Sequence, residues 1–234
     1  MPRTSSQGTC YLCNSTVSKA AMKKHLDTCQ GKGVPAATTS SPSSPSSQKS
    51  QRGKGFLLLV EGYRMPEYWM YLEAPAQATL GDLDKLLRNT WLECCGHLSA
   101  FEIAGVSYSS DAEMASGWDS GDKSMKIKLD KVLEPGMKLS HEYDFGTTTE
   151  LSLKVLSERE GGVKGKSIRI LARNEAPVIL CQSCGKPATQ VCSQCVYDGE
   201  GWLCDECAEE HECGEEMFLP VVNSPRVGMC GYTG

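Results

Sequence analysis

The chain has 234 residues, a net charge of −5 and thirteen cysteines. It contains no apolar run of about 18 residues, so we expect no membrane-spanning helix, and its first residues lack the apolar core of a signal peptide. We therefore expect a cytoplasmic protein, in which an odd number of clustered cysteines is typical of metal sites rather than of disulfides.

The charge is unevenly distributed along the chain. Residues 1–55 carry eight Lys and Arg residues against one acidic residue, a net charge of +7, and the remainder is acidic. A basic segment on an acidic body is typical of contact with an anionic partner, most often nucleic acid. The alternative is a basic segment that is only a solvated tail.

The basic segment contains a zinc-finger pattern at residues 1–30, Cys10-x2-Cys13-x11-His25-x3-Cys29. Residues 18–28 predict a short helix, which places His25 and Cys29 on one face. Two thiolates from a knuckle and two ligands from a helix complete one zinc site. A module this small depends on the metal for its folding free energy.

The target of the finger is open between three interpretations. Lys19, Lys23 and Lys24 leave the helix away from the ligands and are candidate nucleic-acid contacts. The finger also resembles the ubiquitin-binding finger of certain DNA-repair ligases, and that resemblance implies a contact through Asp27. In the third interpretation the finger docks only on its own chain.

Residues 31–55 are rich in Ser, Pro, Gly and Lys, which predicts a disordered linker and a finger that is tethered rather than packed.

Residues 56–180 predict an α+β domain, a mostly antiparallel sheet with helices on one face. Thr79 is a plausible N-cap for the first helix, and Pro66 marks the turn of the first hairpin. The last three strands read as a meander. The predicted helices are 79–95 and 126–136, and the predicted strands are 56–63, 67–74, 97–105, 106–110, 138–146, 149–160 and 166–174.

Four strings in this part of the chain, WLECCGHLSAFEI, HEYDFGTTTELSLKV, ILARN and LPVVNSPRVGMCGYTG, resemble the plasmid open-reading-frame-three-like family. Its members are sometimes labelled transposon "passenger" or resolvase-like proteins. The resemblance covers roughly residues 56–234 and implies an α+β fold. It implies no established reaction, and no Ser nucleophile with an Arg cluster suited to strand exchange accompanies it.

An enzyme is the alternative to a binding protein, with His97, His141 and Asp144 as the candidate site. Hydrogen-bonded structural roles explain the same residues, and no catalytic residue is assigned. Cys94 and Cys95 are candidates for a metal ligand, a nucleophile or small core residues.

Eight ligands in residues 181–216 predict a two-zinc module that resembles B-box and MYND-type cross-brace fingers. Their spacing favours alternating pairing, and sequential pairing is the alternative. All eight would serve structure, which leaves no open position for catalysis, and the acidic residues between them suit a protein partner. Residues 217–234 are expected to pack on the central domain, with Cys230 buried and free; a metal-binding or reactive role for Cys230 is the alternative. The eight ligands are Cys181, Cys184, Cys192, Cys195, Cys204, Cys207, His211 and Cys213.

The sequence thus predicts three zinc ions in a non-catalytic binding or adaptor protein whose basic finger contacts DNA or another nucleic acid. Protein binding through a ubiquitin-like partner and catalysis of an unknown reaction are the alternatives.

Overall fold

The computed structural model describes residues 6–29, 53–112, 121–163 and 167–234. Most of the expected linker, 31–55, lies outside these residues, and its last three residues begin a strand rather than end a linker. Within the described residues, no helix combines the length and the apolar character needed to cross a membrane.

The elements of the described residues form two sheets and three α-helices. In chain order they are β1 (Gln7–Cys10), β2 (Thr16–Ser18), α1 (Lys19–Thr28), β3 (Gly53–Gly62), β4 (Met65–Pro75), α2 (Leu80–Leu87), β5 (Ser99–Ile103), β6 (Val106–Ser109), β7 (Lys123–Ser124), β8 (Lys138–Tyr143), β9 (Thr149–Val163), β10 (Arg169–Asn174), β11 (Gln190–Cys192), β12 (Trp202–Leu203), α3 (Asp205–Ala208) and β13 (Phe218–Pro220).

The large sheet has the order β2-β1-β10-β4-β3-β9-β8-β5-β6-β7, and only the short β6–β7 pair is parallel. The expected mostly antiparallel α+β domain is therefore present. The expected meander of the last three strands is wrong, because β10 pairs with β4 and the β3–β4 hairpin separates it from β9. Each strand has a suitable alternation of side chains, and that alternation does not specify which neighbour it pairs with.

Both faces of the sheet carry a helix: the central domain's own helix α2 lies on one face, and the finger's helix α1 lies on the other. On one face α2 packs over Leu58 and Leu72. On the other, α1 packs over Leu57 and Trp69. Burial on both faces explains why the sequence of β3 is a continuous apolar run rather than an alternating one, and why β4 is buried without interruption from Tyr68 to Pro75.

The first predicted helix begins where expected. The Thr79 hydroxyl accepts a hydrogen bond from the Asp82 backbone N–H at 3.1 Å, and the Asp82 carboxylate accepts one from the Thr79 N–H at 2.8 Å. This is a reciprocal capping box. The helix is shorter than predicted, because α2 ends at Leu87 and a single π-helical turn, Arg88–Leu92, follows.

Two local predictions are wrong. The helix expected over 126–136 is only a 3₁₀ turn, Leu129–Lys131. Its N–H groups bond instead to the loop before α2, from Leu129 to the Ala78 carbonyl at 2.8 Å and from Asp130 to the Ala76 carbonyl at 3.0 Å. Pro66 lies inside β4 and not in the turn, where Arg64 adopts a φ of 58°.

Candidate metal centres

The finger brings its four predicted ligands together. The Cys10 and Cys29 sulfurs are 4.0 Å apart, the Cys13 sulfur lies 3.3 Å from His25 Nε2, and all four donor atoms lie within 4.8 Å of one another. Two sulfurs bound tetrahedrally to zinc at about 2.3 Å lie about 3.8 Å apart. The donor set and its spacing therefore fit a four-coordinate ion.

The expectation of a tethered finger is wrong, because β1 pairs with β10 and extends the large sheet. The Trp69 indole N–H donates to the Ser6 hydroxyl at 2.7 Å, and the finger's Met22 and Leu26 are buried in the same cluster as Trp69. Without β1, the backbone N–H and C=O groups on the outer edge of β10 would be unpaired, and β1 provides their hydrogen-bond partners. The finger is thus part of the central fold.

The three lysines proposed to contact nucleic acid lie in different environments. Lys19 forms an ion pair with Glu61. Lys23 pairs with Asp27 at 3.0 Å, and Asp27 also lies 3.3 Å from the Arg159 guanidinium. Only Lys23 and Lys24 of the three are exposed.

The C-terminal ligands converge in the alternating arrangement, as two interleaved groups. The Cys184 and Cys204 sulfurs are 3.5 Å apart in one. In the other, the Cys195 sulfur lies 3.5 Å from His211 Nε2 and 3.8 Å from the Cys213 sulfur. His211 and Cys213, which are separated by one residue in the sequence, both belong to the second group. The groups are Cys181, Cys184, Cys204 and Cys207, and Cys192, Cys195, His211 and Cys213.

The small sheet, ordered β12-β11-β13, explains why the ligand pairs interleave. Strand β11 ends at Cys192, and β12 runs directly into Cys204, so neighbouring antiparallel strands deliver their cysteines to opposite ends. Strand β13 pairs with β11 of this module, and its Leu219 also packs against the large core, the kind of packing expected of residues 217–234. Beyond β13, Val227 joins the large core, together with Val191 and Val196 of the module.

Backbone groups favour the thiolate form of the first cysteine in each C-terminal group. Burial raises the pKa of Cys181, but N–H groups of Cys204, Cys184 and Ser183 outweigh it and lower that pKa to about 6. Burial likewise opposes the Cys192 thiolate, and hydrogen bonds led by the Cys195 N–H lower its pKa to about 7. Thiolates are the form in which cysteine binds a metal.

Cys230 is exposed, which corrects the expectation that it is buried and free. Its sulfur lies 3.8 Å from the Cys95 sulfur and 3.2 Å from His97 Nε2, and Cys94 completes a fourth group of donors within 4.8 Å. Local spacing brings together only Cys94, Cys95 and His97, of which the two cysteines were candidate metal ligands, and Cys230 is far from all three along the chain. The sequence leaves three cysteines outside the predicted sites but does not show that they meet.

The three residues of the alternative enzyme site do not form one centre. His141 is completely buried, and its Nε2 lies 2.8 Å from the Asp84 carboxylate. Asp144 lies 3.5 Å from His97 Nε2 and forms a buried ion pair with Arg226 at 2.7 Å. Burial raises the Asp144 pKa, but hydrogen bonds from Arg226 and two backbone N–H groups hold it below its ordinary value.

Residues 61–178, about half of the chain, match the family described as plasmid pRiA4b ORF-3-like protein. The match includes Cys94, Cys95 and His97, whereas the finger, the C-terminal module and Cys230 lie outside it. Among solved structures, a protein of unknown function from Methanosarcina mazei Go1 is 21% identical, with a TM-score of 0.44, over 59% of this chain and 78% of that one. No curated protein matches the chain. The chain belongs to the plasmid pRiA4b ORF-3-like family.

Proposed function

We propose that the protein is a non-catalytic zinc-binding protein, in which three structural zinc ions complete the finger and the C-terminal module. The observation that carries this is the convergence of all twelve predicted ligands into three groups of four. Sets of Cys and His in fours are typical of structural zinc, because they fill the tetrahedral shell and leave no position for water or substrate.

Zinc in these sites would supply cross-links that the two small modules need. Only Met22 and Leu26 are buried on α1, and α3 has only Ala208 buried. Segments with so little apolar burial depend on another source of folding free energy, and metal binding is the usual one. The central sheet has its own large core and does not depend on these ions.

The test is the zinc content and metal dependence of the full-length protein. Native mass spectrometry should find at least three zinc ions per chain. Cys13→Ala, Cys184→Ala and Cys195→Ala should each remove one ion. Removing zinc with a chelator should speed amide exchange in residues 7–29 and 181–220, while the strands β3, β4 and β9 stay protected. A metal-free chain with unchanged protection in both modules would contradict the proposal.

Nucleic-acid contact through the basic N-terminal segment is the second function that we propose. The supporting observation is that Lys23 and Lys24 lie exposed on α1, whose buried residues are Met22 and Leu26. The net charge of +7 over residues 1–55 favours an anionic partner in addition. A contact of this kind would position the protein on phosphates without reading bases.

This second function predicts duplex binding that weakens as salt rises, because binding releases counterions from the phosphates. In fluorescence anisotropy with a labelled duplex, Lys23→Ala with Lys24→Ala should weaken binding and reduce the salt slope by about 2. Lys138→Ala, an exposed lysine on β8, is the matched control and should leave binding unchanged. No binding at low salt would rule the contact out.

Recognition of a ubiquitin-like protein by the finger has less support. Asp27, the residue that the resemblance assigns to that contact, already pairs with Lys23 and with Arg159. A partner would have to compete with both cations for this carboxylate.

A further inference from the structure

We propose that a fourth zinc site is formed by Cys94, Cys95, His97 and Cys230. It joins the C-terminal tail, residues 221–234, to the end of the α2 segment, by which we mean residues 80–97. This goes beyond the three structural ions of the proposed function. It joins residues inside the family domain to a residue outside it.

The cysteines divide without remainder into groups of four metal donors. Each of the thirteen cysteines belongs to one of four groups, and each group has four members. Three of the four histidines complete these groups. The remaining one, His141, is buried against Asp84. If the protein bound only three metal ions, the convergence of three cysteines and one histidine at this fourth place would have no explanation.

The four donor atoms lie close enough together to bind one metal ion. Sulfur–sulfur distances are 3.6 Å between Cys94 and Cys95 and 3.8 Å between Cys95 and Cys230, close to the spacing of about 3.8 Å in tetrahedral zinc–thiolate sites. His97 Nε2 lies 2.8 Å from the Cys95 sulfur and 3.2 Å from that of Cys230. These distances are as compact as those in the finger and the C-terminal module.

Cys230 has a strained backbone conformation. Its φ is 47°, a left-handed conformation that is rare and costly for a residue with a side chain. Such strain persists where surrounding contacts impose it, and it is typical of functional positions. The tail is anchored just before this turn, since the Ser224 hydroxyl donates to the Trp91 carbonyl at 2.6 Å and Arg226 is completely buried.

A buried guanidinium compensates the negative charge of such a site. Three thiolates, one imidazole and a divalent zinc ion carry a net charge of −1. The Arg226 guanidinium lies 3.4 Å from the Cys94 sulfur and donates to it. Hydrogen bonds of this kind from residues behind the ligands orient them and stabilise the thiolate. Arg226 also pairs with Asp144, whose carboxylate lies 3.5 Å from His97, so this buried pair contacts two of the four ligands, Cys94 and His97.

The experiment is a zinc count by native mass spectrometry of the full-length protein, prepared under reducing conditions with zinc present. The wild type should carry four ions and Cys230→Ser three. Thr233→Ala, an exposed tail residue that offers no ligand, should keep four. His97→Ala should carry three, and His97→Cys should restore four by forming a four-cysteine site. This rescue separates lost coordination from a general loss of folding.

Three ions in the wild type with no change in Cys230→Ser would overturn the fourth site and leave the proposed function standing. A Cys95–Cys230 disulfide in place of the fourth ion, detected as a mass two hydrogens lower after unfolding, would also overturn it. Fewer than three ions in the wild type, together with an unchanged zinc count in Cys13→Ala, Cys184→Ala or Cys195→Ala, would count against the proposed function instead.

Discussion

Arg226 and Asp144 place opposite charges in the interior, where an unpaired charge is costly. The guanidinium is completely buried and donates to Asp144 at 2.7 Å, to the Thr149 hydroxyl at 3.0 Å and to the Thr147 carbonyl at 3.1 Å. It also stacks on the Tyr143 ring, with 4.8 Å to the ring centroid. This single side chain thus holds the tail, the loop after β8 and the end of the α2 segment together.

Asp144→Asn should destabilise the protein strongly, because it leaves the buried Arg226 charge without its partner. We expect a loss of about 3–5 kcal/mol in the free energy of unfolding, measured by urea denaturation at saturating zinc.

The matched control for that change is Glu206→Gln, which removes one partner of the exposed Lys186–Glu206 pair. An exposed pair contributes about 0–1 kcal/mol, so the control should be nearly silent. A loss for Asp144→Asn no larger than that of the control would show that the buried pair contributes little.

At the scale of elements, the finger depends on a close approach between β1 and the sheet. A side chain at Gly8 would overlap the Trp69 ring and the Arg173 carbonyl oxygen. Glycine is therefore required there for steric reasons, and its absence of a side chain lets the Trp69 ring cover β1. This contact sets how closely β1 of the finger lies against the sheet.

Gly8→Ala should displace β1 from β10. Overpacking of this kind costs about 1–3 kcal/mol, and hydrogen exchange should become faster in residues 7–10 and 169–174. Gly81→Ala in α2 is the control, since an added Cβ would lie 3.6 Å from its nearest neighbour. Alanine there should be neutral or stabilising, because it favours a helix over glycine. Equal exchange in the wild type and Gly8→Ala would show that the finger does not rest on this contact.

The elements also show where local patterns are sufficient. The capping residue Thr79 and the strand periodicity predicted the start of α2 and most strands correctly, because both signals depend on neighbours within a few residues. The segment 126–136 has the composition of a helix, yet the N–H groups of Leu129 and Asp130 bond to the loop before α2. Tertiary hydrogen bonds overrode that local preference.

At the scale of the whole molecule, the four candidate centres lie where chain segments join the central sheet. The finger closes the β10 side of the sheet, and the C-terminal module packs its β11 and Val196 against the large core. The fourth group joins the tail to the end of the α2 segment. Metal binding would thus stabilise the attachments of the small segments rather than the central core.

The ligands of three candidate sites and the α+β class of the domain could be predicted from the sequence, because both cysteine pairs and strand alternation are patterns of short-range spacing. Strand order, the docking of the finger and the convergence of Cys230 with His97 could be read only from the folded chain. They depend on which distant segments meet, and main-chain pairing at sheet edges and burial of two sheet faces settle that choice. Ligands more than a hundred residues apart leave no spacing from which their meeting can be read.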